Sequence, residues 1–191
     1  MVIRTDSEKV LKTRKMVLEL ILSDHPRDCM TCEKCGSCTL QDLAYEYSVR
    51  ESRFFEEPDG GVTEDENPSI QHDTSKCILC GRCVRICAEV QQDYAIDFKN
   101  RGFETQTGTP FGKPRRDTTC VLCGQCVSTC PVGSLVEKQA AGKARDWELK
   151  QVKTTCAYCG VGCTMYLNVK GNRVVKVTSK VGSIPNDGNL C

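Results

Sequence analysis

Aromatic side chains make up only 6% of this 191-residue sequence and apolar ones 39%. A chain of that length ordinarily buries a larger apolar core, so side-chain packing alone is a weak explanation for a folded state. Long apolar runs are missing too: none approaches the ~20 residues a helix needs to cross a bilayer. The opening residues, with Arg4, Asp6, Glu8 and Lys9 close together, lack the apolar centre of a signal peptide. These absences predict a soluble, cytoplasmic chain with no membrane span. An excess of one charge is also lacking, because 26 Lys and Arg stand against 25 Asp and Glu for a formal net charge of +1. Without a basic stripe, no nucleic-acid partner is expected. Histidine is reduced to His25 and His72, the latter isolated in a polar stretch. Neither a glycine-rich phosphate loop nor a Ser/His/Asp constellation is present, so no catalytic residue is assigned.

What the chain has instead is cysteine. All sixteen fall into four groups of four: Cys29, Cys32, Cys35 and Cys38; Cys77, Cys80, Cys83 and Cys87; Cys120, Cys123, Cys126 and Cys130; and Cys156, Cys159, Cys163 and Cys191. Tight CxxC spacing in a reducing compartment points to metal ligation rather than disulfides. The second and third groups share the pattern CxxCxxCxxxC and read as an internal repeat. Three thiolates at i, i+3 and i+6 can wrap one face of an iron–sulfur cube, and a fourth from elsewhere closes it. In two-cluster ferredoxins the fourth cysteine of each motif crosses to the other cluster. That rule assigns Cys77, Cys80, Cys83 and Cys130 to one [4Fe-4S] cluster, and Cys120, Cys123, Cys126 and Cys87 to its neighbour. Zinc sites, by contrast, use paired CxxC elements or mixed Cys/His tetrads. Four clusters would cross-link a chain whose own core is small and leave the apo chain poorly folded.

Around these groups, Val10, Leu11, Val17, Leu18, Ile21 and Leu22 recur at helical intervals, predicting an amphipathic helix over 7–23 with Ser7 as N-cap, ended at His25-Pro26. A second helix is expected over 40–47. Residues 56–75 read as an acidic, turn-rich connector, and 99–117 as a long irregular loop broken by Gly102, Gly108, Pro110, Gly112 and Pro114. Residues 137–152 look helical or linking, and alternation over 164–169 and 173–178 around Lys170-Gly171-Asn172 signals a hairpin. Lys76, Arg82 and Arg85 flank the first ferredoxin-type motif, either as solvated surface or as cations favouring a reduced cluster there.

The segment His25-Pro-Arg-Asp-Cys29-Met-Thr-Cys32, continuing through Cys38-Thr-Leu-Gln41-Asp, resembles the histidine-containing cluster segment shared by the large iron–sulfur subunit of complex I, iron-only hydrogenases and NAD-linked formate dehydrogenases. That resemblance implies His25, Cys29, Cys32 and Cys38 as ligands, with Cys35 spare where the family usually has a small non-ligating residue. An all-cysteine site with Cys35 in place of His25 is the alternative. Thr155-Cys156-Ala-Tyr-Cys159-Gly-Val-Gly-Cys163, followed by Gly188-Asn-Leu-Cys191, is similar to the cluster-binding segment opening molybdopterin oxidoreductases, especially formate dehydrogenases. It implies Cys156, Cys159, Cys163 and Cys191 as ligands. The lysine expected two residues further on and the pterin domain do not follow within this sequence, and no cysteine of a preceding [2Fe-2S] domain comes before Cys29. The order of modules matches an internal stretch of an NAD-linked formate dehydrogenase alpha subunit.

The expected fold is α+β: small cluster-stabilised modules with a two-[4Fe-4S] ferredoxin-like domain in the middle. Residues 1–66 form a helical module with the His/Cys site, 67–145 the ferredoxin-like domain, and 146–191 a truncated molybdopterin-oxidoreductase-type module. The expected function is relay of electrons through four [4Fe-4S] clusters in a formate dehydrogenase-like complex. A catalytic subunit would hold the Mo/W-pterin, and a flavin/NAD(P)-binding or ferredoxin-like subunit would be the other partner. The alternative is the electron wire of a hydrogenase or flavin-based electron-bifurcating complex, and a remote one is a zinc-binding scaffold protein.

Overall fold

The computed structural model describes residues 3–54, 60–63 and 66–191. Helix α1 (Glu8–Ser23) starts where Ser7 Oγ accepts from Val10 N–H at 3.4 Å, with Glu8 in the first turn where a negative charge suits the helix dipole. Its Leu18 is buried, and Ile21 and Leu22 pack alongside. Helix α2 (Thr39–Glu46) begins directly after Cys38 and buries Leu40. The apolar faces of both helices join Ile70, Ile96, Val127, Val132 and Leu135 in one cluster that also contains Cys38, Cys83, Cys126 and Cys130. The small core is thus shared between the helical segment and the middle of the chain, and cysteines are part of it.

In the middle, α3 (Arg82–Arg85) runs into a π-helical turn (Ile86–Val90), and α4 (Gln125–Thr129) is its counterpart in the repeat. Each is entered through a left-handed glycine, Gly81 at φ 68° and Gly124 at φ 74°, a conformation that costs glycine nothing. Two residues earlier, Leu79 and Leu122 take positive φ as well, at 52° and 54°, so the two cysteine loops share even their strained backbone. Strand β1 (Ile70–His72) pairs antiparallel with β4 (Leu135–Glu137), and β2 (Asp97–Lys99) with β3 (Gln106–Gly108). The last unit is a three-stranded antiparallel sheet ordered β5 (Lys150–Thr155), β6 (Thr164–Lys170), β7 (Arg173–Thr178).

Both expected helices and the hairpin are present, within a mixed helix and sheet fold. Three expectations are sharpened or corrected. Residues 137–152, expected to be helical or linking, link rather than form a helix: turns and a short 3-10 turn at Asp146–Glu148 lead into β5, which adds a third strand to the hairpin. The loop over 99–117 is irregular but holds β3. The connector over 56–75 lies partly outside the described residues, and its end is strand β1, so His72 is a core residue only 2% exposed. Among the described residues, no helix is long and apolar enough to cross a membrane.

Because Leu135 sits at the junction of β4 with this shared core, Leu135→Ala should cost about 2–5 kcal/mol. A fall in the guanidinium concentration at which folded structure is lost checks this; an unchanged midpoint would mean the core does not depend on that junction.

Candidate functional site

The loop after α1 folds so that His25, Cys29, Cys32, Cys35 and Cys38 line one cavity, together with Lys76 and Gly133. Burial lowers the His25 pKa, with Asp28 opposing, so the imidazole is held neutral and a ring nitrogen can act as a ligand. His25 Nδ1 is buried with no hydrogen-bond partner, an arrangement that is costly unless something binds it. Cys35 has a different neighbour: Gln41 Nε2 approaches its sulfur at 3.9 Å while Gln41 Oε1 accepts from Gly36 N–H at 2.9 Å. The loop is clamped from the far side. Arg145 donates to Cys32 O at 2.5 Å and Met30 O at 2.8 Å, Gly142 N–H donates to Glu33 at 3.1 Å, and Trp147 covers Gly36 so closely that a Cβ there would lie 2.6 Å from the indole.

Lys76 belongs to this first set, which corrects its grouping with the motif that follows it in sequence. Its side chain is 19% exposed, and Nζ lies 3.0 Å from Asp73 Oδ2 and 3.8 Å from Asp28 Oδ2.

A second cavity is lined by Cys77, Cys80, Cys83 and Cys130, with Thr107 and Arg82 at its wall. Burial pushes the Cys83 thiol up to about 11, and Cys77, Cys130 and Cys80 add to the rise. The third set is legible the same way. Burial raises the pKa of Cys123, and Cys120 and Cys87 contribute; burial pushes Cys126 up to about 12, opposed by the Arg115 guanidinium and reinforced by Cys123, Cys83 and Cys120. Cys83 thus faces Cys126 across the boundary between the sets. Backbone donors reach the sulfurs as well: Leu79 N–H lies 3.4 Å from Cys77 Sγ and Ala95 N–H 3.3 Å from Cys87 Sγ.

The fourth set is more open. Cys156 N–H donates to Cys163 O at 2.8 Å at the end of the β5–β6 pair, whereas Cys159 and Cys191 are exposed. The turn leading to Cys191 is tied to the same corner, since Thr164 N–H donates to Asn186 Oδ1 at 2.9 Å and Thr164 Oγ1 to Ile184 O at 2.8 Å. A cleft of about 390 Å³ is lined by Cys123, Gly124 and Gln125 together with Asn168, Lys176 and Thr178 of the three-stranded sheet.

Buried thiols this weakly acidic stay protonated at neutral pH, so binding of iron must displace their protons. Among the described residues, no three His, Cys, Asp or Glu side chains converge on a point that a single ion would occupy. Thiols ringing a cavity suit a larger, polynuclear group, and each such group would supply a one-electron couple. The sequence gives no sign of Thr107, His72, Arg115 or Arg145, because no motif marks a residue that reaches a cysteine loop from a distant segment.

Comparison with known families places an iron–sulfur match on each part. Residues 14–53 match the NADH-ubiquinone oxidoreductase-G iron-sulfur binding region, 67–136 the ferredoxin-like domain of NADH-quinone oxidoreductase subunit 3, and 149–191 the molybdopterin oxidoreductase Fe4S4 domain. The chain is 34% identical over 195 residues to NADH-quinone oxidoreductase subunit 3 of Thermus thermophilus, covering 94% of this chain and 24% of that protein. It is 45% identical over 143 residues to the NADP-reducing hydrogenase subunit HndD of Solidesulfovibrio fructosivorans, covering 73% and 24%. A chain of an NAD+-reducing [NiFe]-hydrogenase crystal structure superposes with a TM-score of 0.65 at 30% identity, covering 74% of this chain and 60% of that one. The chain spans about a quarter of the length of the curated relatives it matches. Together the matches support an iron–sulfur region of the kind carried by NADH-quinone oxidoreductases, joined to a molybdopterin oxidoreductase Fe4S4 domain.

Crossed ligation is directly testable. Cys130→Ser should disturb the cluster held by Cys77, Cys80 and Cys83 and spare its neighbour, while Cys87→Ser should do the reverse; Mössbauer spectra of the two variants decide, and damage within each variant's own motif would overturn the crossing. At the first set, Cys35→Ser should keep the cluster signal and ¹⁵N-histidine labelling should show nitrogen coupled to it. Loss of the cluster in Cys35→Ser with no nitrogen coupling in the parent would transfer the ligand role from His25 to Cys35.

Proposed function

We propose that the chain carries four [4Fe-4S] clusters and acts as an electron-transfer segment of an NAD(P)-linked oxidoreductase complex. In this reading His25, Cys29, Cys32 and Cys38 hold the first cluster, Cys77, Cys80, Cys83 and Cys130 the second, Cys120, Cys123, Cys126 and Cys87 the third, and Cys156, Cys159, Cys163 and Cys191 the fourth. The three modules are those bounded near residues 66 and 145. The observation that carries the reading is the interleaving of the middle sets: Cys130 lines the cavity of Cys77, Cys80 and Cys83, Cys87 lies close enough to raise the Cys123 pKa, and Cys83 close enough to raise that of Cys126. Sites built into each other in this way hold redox groups at fixed separation. The chain's own part is to supply thiolates, exclude water and aim backbone N–H groups and buried cations at them.

The finer assignment is a formate dehydrogenase-like complex, with a Mo/W-pterin in a catalytic partner beside the fourth cluster and a flavin/NAD(P)-binding or ferredoxin-like partner at the other end, in a cytoplasmic setting. The match over 149–191 supports the pterin partner. Tyr158, Val161, Val181 and Ile184, all strongly exposed on the module that carries the fourth set, are apolar surface suited to being covered by another polypeptide. A hydrogenase complex is supported equally by the NADP-reducing and NAD+-reducing hydrogenase relatives.

The native complex, isolated without oxygen, tests both levels. Iron and labile sulfide should each approach about four per site, and formate should reduce the cluster signals. Reduction by hydrogen but not by formate selects the hydrogenase complex, and a colourless zinc protein without labile sulfide overturns the electron-transfer reading altogether.

A further inference from the structure

We infer that Thr107, oriented by His72, donates a hydrogen bond to the sulfur of Cys77 and thereby raises the reduction potential of the second cluster above what its ligands alone would give. The inference rests on the ligand reading for Cys77, Cys80, Cys83 and Cys130. Thr107 stands on β3, is 1% exposed, and lines the same cavity as those four sulfurs. Its Oγ1 lies 3.6 Å from Cys77 Sγ and 3.3 Å from His72 Nε2.

The chemistry of the three groups fixes the direction of both hydrogen bonds. A thiolate bound to iron carries no proton and can only accept. The single hydroxyl proton of Thr107 therefore goes to Cys77, and the oxygen's lone pair is left to accept from His72, which must present its Nε2–H tautomer. His72 is held for this by the backbone, because β1 pairs with β4 and sets His72 opposite Leu135 in the core. Neither side chain can turn to water. A cluster held there would place more negative charge on its thiolates when reduced, and a donor aimed at one of them would stabilise the reduced form more than the oxidised form. Leu79 N–H, 3.4 Å from the same sulfur, acts in the same sense but belongs to the cysteine loop itself. Thr107 and His72 come from elsewhere in the chain, so the second cluster's potential is tied to the correct docking of β3 and β1. Both act as positioning residues.

The test is a site-resolved redox titration of the cluster-loaded protein followed by electron paramagnetic resonance, with Cys77→Ser identifying the signal of the second cluster. Thr107→Val keeps the shape and removes the donor; that one signal should move to lower potential while the others stay. Thr107→Ser restores a hydroxyl and should return the potential to near the parent value, which a purely structural role for the methyl group would not do. If Thr107→Val fails to load iron, Thr107→Ala must show the same selective shift. An unmoved second-cluster potential in a fully loaded Thr107 variant, or an equal shift of all signals, overturns the inference. If Cys77→Ser alters no cluster signal, the ligand reading itself is what fails.

Discussion

The short stretch from residue 130 to 135 is the constraint on which the rest depends. Cys130 leaves its own motif to complete the cavity of the other. One residue on, Pro131 O accepts from Thr39 N–H at 3.0 Å, fixing the start of α2 and so the end of the first cysteine loop. Gly133 passes directly beneath Cys32 Sγ, where any side chain would collide. Ser134 Oγ donates to Asp73 O and Ser134 O accepts from Asp73 N–H, both at 2.7 Å, placing the strand that carries His72 and aligning Asp73 to hold Lys76. Leu135 and Val132 then close the apolar core. The cysteine sets are therefore spaced by one bent, turn-forming segment that has almost no freedom to move without disturbing them.

The energetic logic follows from the scarcity of apolar side chains. Thiols occupy positions in the core that leucine or valine would fill elsewhere, so packing and ligation are one process rather than two. A buried thiol is a tolerable core residue while protonated. Once iron replaces the protons, the bonds formed add to folding stability what the small apolar area cannot. The segment before β5 works by another route. It contributes little to the core, yet Arg145 uses two main-chain carbonyls of the first loop and Trp147 presses on Gly36, so charged and aromatic contacts hold the last unit against the first.

What is legible in the sequence is what is local. Helix α1, the β6–β7 hairpin and the four cysteine groups each lie within a window of about twenty residues or less, except for the late arrival of Cys191. What escapes depends on distant pairing. Strand β5 has no alternation to betray it, since Lys150, Gln151, Val152 and Lys153 are all exposed and it is defined only by its partner β6. Strands β1 and β4 are three residues each and stand far apart in the chain, too short for a period to show. His72 looks isolated in the sequence because the hydroxyl that meets its ring, that of Thr107, and its strand partner Leu135 are remote along the chain. Its burial is a property of the pairing and has no trace in the residues beside it.

Charge placement shows most clearly why flanking residues are a poor guide to what a redox site feels. By sequence, three cations attend the second set and none the third. In the fold, Lys76 turns to the first set and is paired with Asp73, while the Arg85 guanidinium donates to Cys80 O at 2.9 Å, leaving Arg82 at the cavity wall. The third set, with no cation in its motif, receives Arg115 from the preceding loop, 2% exposed and acting directly on Cys126. Buried charges are weakly screened by salt, whereas exposed ones lose most of their reach within a Debye length of about 8–10 Å. One buried arginine can therefore outweigh several surface cations, and the electrostatic ranking of the sites is fixed by which charges the fold encloses. The fourth set, with Cys159 and Cys191 exposed, lies at the other extreme, where water screens the charges around it.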